Sequence, residues 1–529
     1  MALKRLFAVL FLSCLTTMIM LSFTRTFTFS TTINLWKNEQ FLRKPSSVVP
    51  TLSTATAQKS SNYDDKTYLM AAYITSSSVI RLTTIRKCKT IIRLRFHLKT
   101  NQSKFLTIPL IHKPILKCPW FYAKKCDFVG YFATTVRRND LDQLLMASHK
   151  KLPKAYVSRM DKPSLRVPVV LQEARVMPKQ PRKHYLAVCL QPIFLLADWT
   201  LLVQFFEIWI AQGVTKFCVY VQSMTPEVDA LLRVYEHSKD VEVERINWAP
   251  LPTGEVAAHE NDPNLRIYRT EVTTSINDCV LRSRGHAKYV ISSDLDEILV
   301  TYKETSLLKL LVSLQAKFKN SAAFVIRSSF ALFENHWANI SKPTDIDFNS
   351  FANISLENYV WPAGFRSKAS FYLEFYFSFF TKYDSCFMIP EYVYSAHVHQ
   401  VLQPEPGKII KIIPPETALV FHLRRVMRDK LWSSNTTVKT NALARFIDPC
   451  NKSWKNRLKI IRQVPETKIL HRSEWPQRGS QVMKELEACR EQLNSIQNDT
   501  CPSPYRCMSR ITSVTSNEWV IAQQTWTVL

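Results

Sequence analysis

The residues with the clearest chemical potential are Asp294 and Asp296, in the run Ser293-Asp294-Leu295-Asp296-Glu297. Carboxylates at i and i+2 on extended backbone point to the same side. Together they can hold a hard divalent cation, because Mn²⁺ and Mg²⁺ take oxygen ligands and can share the oxygens of a bound diphosphate. A cation there stabilises the charge that builds on a departing diphosphate. The bland alternative is a pair of capping residues after a strand. A second acid pair, Asp345 and Asp347, follows Lys342-Pro343-Thr344. That is a loop context with no strand leading in, and it reads as a decoy.

The first pair gains weight from the elements that must position it. Tyr289-Val290-Ile291-Ser292-Ser293 is an apolar run fit for a buried strand, and ligands of open α/β sheets bind at the carboxyl ends of such strands. His184–Leu190, Lys216–Val221 and Val241–Ile246 read as further strands. A helix is predicted over Asp198–Gln212, with Leu202, Phe205, Phe206 and Trp209 at helical spacing, Asp198 as N-cap and Gly213 as stop. Thr225-Pro226 opens a second helix, and a third is expected from Leu265 to Arg284. This alternation predicts an α/β domain with a mostly parallel sheet and helices on both faces.

Only 7 of the 529 residues are glycine, and no G-x-G-x-x-G, Walker A or G-x-S-x-G arrangement occurs. That argues against Rossmann dehydrogenases, P-loop NTPases, protein kinases and α/β-hydrolases, whose loops bring backbone close to a ligand. Any phosphate chemistry must rest on a metal and side chains. The formal charge is +27, and Lys66 to Cys126 holds 13 Lys/Arg without one Asp or Glu. A solvated basic face is the default reading of that stretch. Anionic membrane surface or anionic glycan comes next, ahead of nucleic acid.

Several signals bear on compartment. Lys4 and Arg5 precede the apolar stretch Leu6–Phe23, which is just long enough to span a bilayer with the N-terminus cytoplasmic. Residues 1–5 are thus a cytoplasmic tail, 6–23 a signal-anchor and 24–66 a Ser/Thr-rich stem. Sequons at Asn101, Asn339, Asn353, Asn435, Asn451 and Asn498, with twelve cysteines, suit a lumenal, oxidising location. Cys118/Cys126 and Cys501/Cys507 are candidate local disulfides, although spacing does not determine connectivity. Residues 67–180 read as a β-rich accessory region, 184–430 as the α/β domain, and 431–529 as a polar tail with one amphipathic helix near Gln481–Gln492.

The block from 184 to 430 resembles glycosyltransferase family 92. The resemblance rests on Asp198-Trp199, Gly213-Val214 with Phe217 and Tyr220, Ile276-Asn277-Asp278-Cys279, Arg282-Ser283-Arg284, and Ser293 to Glu297. It continues through Ile389-Pro390-Glu391 with His399, and Val420-Phe421-His422-Leu423-Arg424. It implies a GT-A-like fold, a UDP-sugar donor (UDP-galactose), Mn²⁺ with Mg²⁺ as substitute, inversion at the anomeric carbon and a glycan acceptor. It also implies a single-pass type II Golgi protein with a lumenal catalytic domain and no nucleic-acid partner. Asp296 would ligate the metal, and Asp294 would contact metal or donor. A late histidine, His399 or His422 ahead of His397, would complete the set. Glu391, Asp384 or Glu334 would serve as base, and Arg282, Arg284 and Lys382 would face the diphosphate. Trp248 and Trp361 would stack on uracil or sugar, or else pack in the core. Ile389 stands where the family has Arg, and His397 where it has Gly, which leaves open a catalytically inactive glycan- or nucleotide-binding protein on the same fold.

Overall fold

A computed structural model describes the chain from Tyr63 to Leu529, apart from residues 101–103, 121–122, 148–151, 178–180, 254–260, 334–336, 338–339, 358–384, 425–436, 497–498 and 516–517. The expected anchor at 6–23 lies outside the described residues. So do Glu334, Trp361, Lys382, Asp384 and the sequons at Asn101, Asn339, Asn435 and Asn498. Among the described residues no helix is long and apolar enough to cross a membrane.

The α/β half is built on a seven-stranded sheet. Its strands β1 (His184–Ile193), β2 (Lys216–Val221), β3 (Glu242–Asn247) and β4 (Ala287–Ser293) run parallel in the order β3-β2-β1-β4. Beyond β4 come β5 (Ser321–Ile326), β6 (Ser385–Met388) and β7 (Ile409–Ile413). β6 is inserted antiparallel between β4 and β5, and β7 lies parallel to β5 at the far side. The chain steps from β1 outward to β3 and then returns to the other side of β1 to make β4. The topological switch point is therefore between β1 and β4.

Period-two patterning lets one strand serve two cores. Leu186, Val188 and Leu190 of β1 face helices α1 (Trp199–Ala211) and α2 (Pro226–Glu236), while Ala187 and Cys189 face α3 (Val272–Ser283). The Asp198 carboxylate accepts from the amides of Thr200 (3.0 Å) and Leu201 (3.2 Å) and so caps α1. Gly213 takes φ +91° just past the helix end, a conformation that favours glycine. The Cys189–Cys279 disulfide joins β1 to α3.

The outer side of α3 is covered by a second, nine-stranded sheet formed mainly from residues 67–173. Tyr68, Ile85 and Phe128 from that sheet enter the core beneath α3. At the centre of the junction lies Asp278, fully buried on α3. Its two oxygens accept from Tyr73 (2.6 Å), Thr83 (3.0 Å), Tyr220 (2.7 Å) and Arg282 Nε (2.6 Å). One carboxylate thus ties the accessory sheet, β2 and α3 together, with every lone-pair direction used.

Three expectations are corrected. The third helix starts at Val272, not Leu265: Pro263–Arg266 is a 3-10 turn, and Arg269 and Glu271 take left-handed backbone at φ 53° and 56°. Docking of the accessory sheet redirects the chain there. The Glu271 carboxylate is buried and accepts the Gly130 amide (3.0 Å) and the Thr274 hydroxyl (2.9 Å). Gly130 comes so close that a Cβ on it would sit 1.8 Å from Thr274 Oγ1.

The second correction concerns the C-terminal part, which is not a polar tail with one helix. It forms helices at Ile447–Ile461, Gly479–Ser495 and Tyr505–Thr515. Trp454 and Trp475 are buried in the core of α1 and α2, and Trp526 in the core of α3. Leu529 and Thr67 exchange backbone hydrogen bonds of 3.0 and 2.9 Å, so the C-terminus extends the accessory sheet. The local disulfide pairings also fail. Cys118 joins Cys88, Cys126 joins Cys501, and Cys507 joins Cys489, because packing rather than spacing decides which thiols meet.

Burial raises the Glu271 carboxyl to about 7, although Thr274 and Gly130 donate to it. The folded state therefore binds a proton that the unfolded chain releases near its ordinary value of 4.5. That stability is present below the unfolded value and lost as pH rises through about 7. We expect stability to fall by about 3 kcal/mol between about pH 4.5 and 7 from this group and then level off. Thermal unfolding across that range should be flatter for Glu271→Gln; equal slopes would refute the assignment.

Candidate functional site

β4 ends at Ser293, and the chain turns through Asp294, Leu295 and Asp296 before the strand Glu297–Thr301. That strand belongs to a five-stranded sheet and pairs antiparallel with Ala418–Arg424, Glu297 opposite His422. The pairing brings a distant histidine to the acid pair: His422 Nε2 lies 3.1 Å from Asp296 Oδ2. The turn is held by backbone as well, the Leu423 amide donating to the Asp296 carbonyl at 2.7 Å. Phe330, on the neighbouring strand Ser328–Phe333, places its ring 5.5 Å from the imidazole.

Glu297 sits beneath the turn and is buried. Its Oε2 accepts from the Asp294 amide (3.2 Å) and from the Ser385 hydroxyl at the start of β6 (3.1 Å). Burial first, then the charges of Asp294 and Asp296, hold this carboxyl well above the usual carboxylate range. Its other oxygen has no hydrogen-bond partner among the described residues. Sequence reasoning missed Ser385 and Phe330. Neither sits in a motif, and only cross-strand pairing reveals them.

The donor set was tested against a divalent cation. Among the described residues no group of three or more His, Cys, Asp or Glu side chains is gathered as a complete metal site. The Asp296–His422 pair nevertheless has suitable spacing. Two ligands about 2.1 Å from one octahedral ion, at right angles, lie about 3.0 Å apart, close to the 3.1 Å observed. Carboxylate oxygen and neutral imidazole nitrogen are both Mn²⁺ ligands. The pair fits two of the six positions of a site that donor oxygens and water would complete.

Glu391, Arg282 and Arg284 lie toward the opposite edge of the sheet. β6 runs antiparallel to β4, with Met388 opposite Val290 and Phe387 opposite Ile291, so the chain from Ser385 to Pro390 travels from the carboxyl edge of β4 toward its amino edge. Glu391 lies just beyond, paired with Arg182 at 2.5 Å. At about 3.3 Å per residue the length of β4 separates it from Asp294 by roughly 20 Å, which rules it out as a base. Ile389 is buried on the same path, so its departure from the family pattern falls outside the site.

Arg282 and Arg284 are at that amino edge too, because a helix leading into a parallel strand ends where the strand begins. Arg282 Nη1 bonds Glu244 (2.9 Å) while its Nε bonds Asp278. Arg284 donates to the carbonyls of Pro390, Glu391 and Thr75. Both are structural clamps and not diphosphate ligands. His399 lies in the turn after Val393–His397, a strand anchored by reciprocal hydrogen bonds between Asn277 and Ala396 (2.7 and 2.9 Å). Beside it, burial first and then His399 and Arg269 lower His397 to about 3.

Trp248 is buried, its Nε1 donating to the Thr270 carbonyl at 2.7 Å; it packs in the core. The decoy acid pair behaves as one: Asp347 caps a short 3-10 turn by accepting from the Asn349 amide. Of the described sequons Asn353 is exposed, whereas Asn451 accepts the Phe348 amide at 3.0 Å.

A family model, glycosyltransferase family 92, matches residues 184–475. A glycosyltransferase family 92 protein of Caenorhabditis elegans is 24% identical over 247 residues, which is 46% of this chain and 42% of that protein. The chain thus aligns with less than half the length of this relative.

The two edges of β4 should respond to mutation in opposite ways. Glu391→Gln should lower stability by about 2 kcal/mol, the scale of a hydrogen bond to a charged group, and leave Mn²⁺ binding unchanged. Asp296→Asn should weaken Mn²⁺ binding at least tenfold with little change in melting temperature. Calorimetric titration and thermal unfolding of both variants test this.

Proposed function

The chain belongs to glycosyltransferase family 92, and from that premise we propose that it transfers a hexose, galactose from UDP-galactose, to a glycan hydroxyl with inversion at the anomeric carbon. The carrying observation is the Asp296–His422 pair at 3.1 Å beside Asp294, at the carboxyl end of β4. The strand order, with the switch between β1 and β4 and one antiparallel insertion, supports a GT-A-like reading of the fold. A glycine-poor chain without a phosphate loop supports dependence on a divalent cation, Mn²⁺ in this proposal.

Asp296 and His422 would hold that cation, with Asp294 on the cation or the donor. When bound, it neutralises charge on the diphosphate leaving group. Glu297 keeps the turn in shape through the Asp294 amide, and burial beside the two aspartates disfavours its ionisation. The acceptor oxygen attacks the anomeric carbon as the bond to the diphosphate breaks, and its proton passes to a carboxylate. With Glu391 excluded by position, Asp384 and Glu334 are the proposed bases. Asp384 directly precedes Ser385, which contacts Glu297. The leader, sequons and cysteines of the sequence support a type II Golgi membrane protein with this domain in the lumen.

UDP release with a UDP-sugar panel and a mixed glycan pool tests the proposal. Turnover should need Mn²⁺, rise with acceptor, and fall at least a hundredfold in Asp296→Ala and His422→Ala. One of Asp384→Asn or Glu334→Gln should cut kcat by about 10²–10⁴ while keeping UDP binding. Full turnover in Asp296→Ala would sink the mechanism.

A further inference from the structure

The accessory sheet carries a surface that the transfer reaction does not use. Within the acid-free stretch Lys66–Cys126, several cations are absorbed internally. Arg81 and Arg86 are buried, and Lys87 pairs with Asp64 and Asp127. Lys89, Arg93, Lys113 and Lys117 are instead exposed, and among the described residues none forms an ion pair with a carboxylate.

These four residues come from separate segments, and two contacts draw them into one patch. The Cys88–Cys118 disulfide sets Lys89 beside Lys117. One guanidinium nitrogen, Arg86 Nη1, bonds both the Ile92 carbonyl (3.3 Å) and His112 Nδ1 (2.6 Å). The neighbours of Ile92, Ile91 and Arg93, are thereby brought alongside the neighbours of His112, Ile111 and Lys113. Burial and Arg86 lower His112 to about 4, so it stays neutral and the clamp does not open across the physiological range.

Between the cations stand two isoleucines, Ile91 at 83% and Ile111 at 50% exposure. A purely polyanionic partner would leave them without a role. Exposed aliphatic tips ringed by lysine and arginine match an interface of anionic headgroups over acyl chains. We propose that this patch docks the accessory sheet onto an anionic lipid surface, the cations meeting headgroup phosphates and Ile91 and Ile111 dipping below them. This inference is independent of the transferase reading.

The test uses the full chain carrying Ile91→Cys labelled with an environment-sensitive fluorophore, so that insertion is read at the patch whatever other segments do. Vesicles of phosphatidylcholine with 30% phosphatidylserine should shift the emission to the blue, and pure phosphatidylcholine vesicles should not. The shift should shrink in high salt. Adding Lys113→Glu and Lys117→Glu should weaken the vesicle response about thirtyfold or more, with circular dichroism confirming the fold. An unshifted emission, an equal shift with neutral lipid, or an undiminished response in the charge-reversed protein would overturn the proposal. So would tight binding of a sulfated glycan without any vesicle response.

Discussion

The buried carboxylate of Asp278 is the interaction on which the architecture depends. It lies on α3, the helix that separates the parallel sheet from the accessory sheet, and it accepts from both sides. An unpaired charge at that depth would be prohibitive, so the accessory sheet must supply Tyr73 and Thr83 and the helix must supply Arg282. Breaking such a pair by removing one partner typically costs 3–5 kcal/mol. Nearby, the close approach of Gly130 to Thr274 and the buried Glu271 set the distance at which the two sheets meet. The region from residue 67 is therefore joined to the α/β half through α3. Trp526 and Leu529 at the other end of the chain reinforce the same junction.

With that junction set, the two edges of the parallel sheet take different tasks. At the amino edge, Arg182, Arg284 and Glu391 form clamps between connections. At the carboxyl edge, β4 delivers Asp294 and Asp296 into a turn whose far side is secured by the strand carrying His422. Glu297 joins the two arrangements. It starts the strand that pairs with His422, and its carboxyl reaches back to the Asp294 amide and across to Ser385. Burial beside two aspartates disfavours the ionised form of this acid, while its hydrogen bonds fix the turn.

How much of this was legible varies by residue, for reasons of range. The strand leading into Asp294 and the helix opened by Asp198 were readable, because a period of two or 3.6 and a capping side chain are encoded within a few positions. The placement of Arg282 and Arg284 was also within reach. A helix that precedes a parallel strand must end at the strand's beginning, so residues at its end cannot meet a ligand at the strand's other end. The late start of α3 was not readable, since the left-handed backbone of Arg269 and Glu271 is imposed by a sheet that lies far away in sequence. The contact of His422 with Asp296 was equally closed to inspection: it arises because Glu297–Thr301 pairs with Ala418–Arg424.

The sequence by itself determined the α/β class, the position of the acid pair after a buried strand, the exclusion of glycine-loop enzymes and the resemblance that the family match supports. These properties are written in composition, short-range periodicity and motif order. Tertiary structure decided that His422 meets the acid pair, that Glu391 lies toward the other edge of the sheet, which cysteines join, and that the C-terminal tryptophans belong to the cores. Those outcomes depend on contacts between segments that are separated in sequence, by 375 residues for Cys126 and Cys501. Their energy comes from burial and from satisfying buried polar groups, and neither leaves a local pattern in the chain.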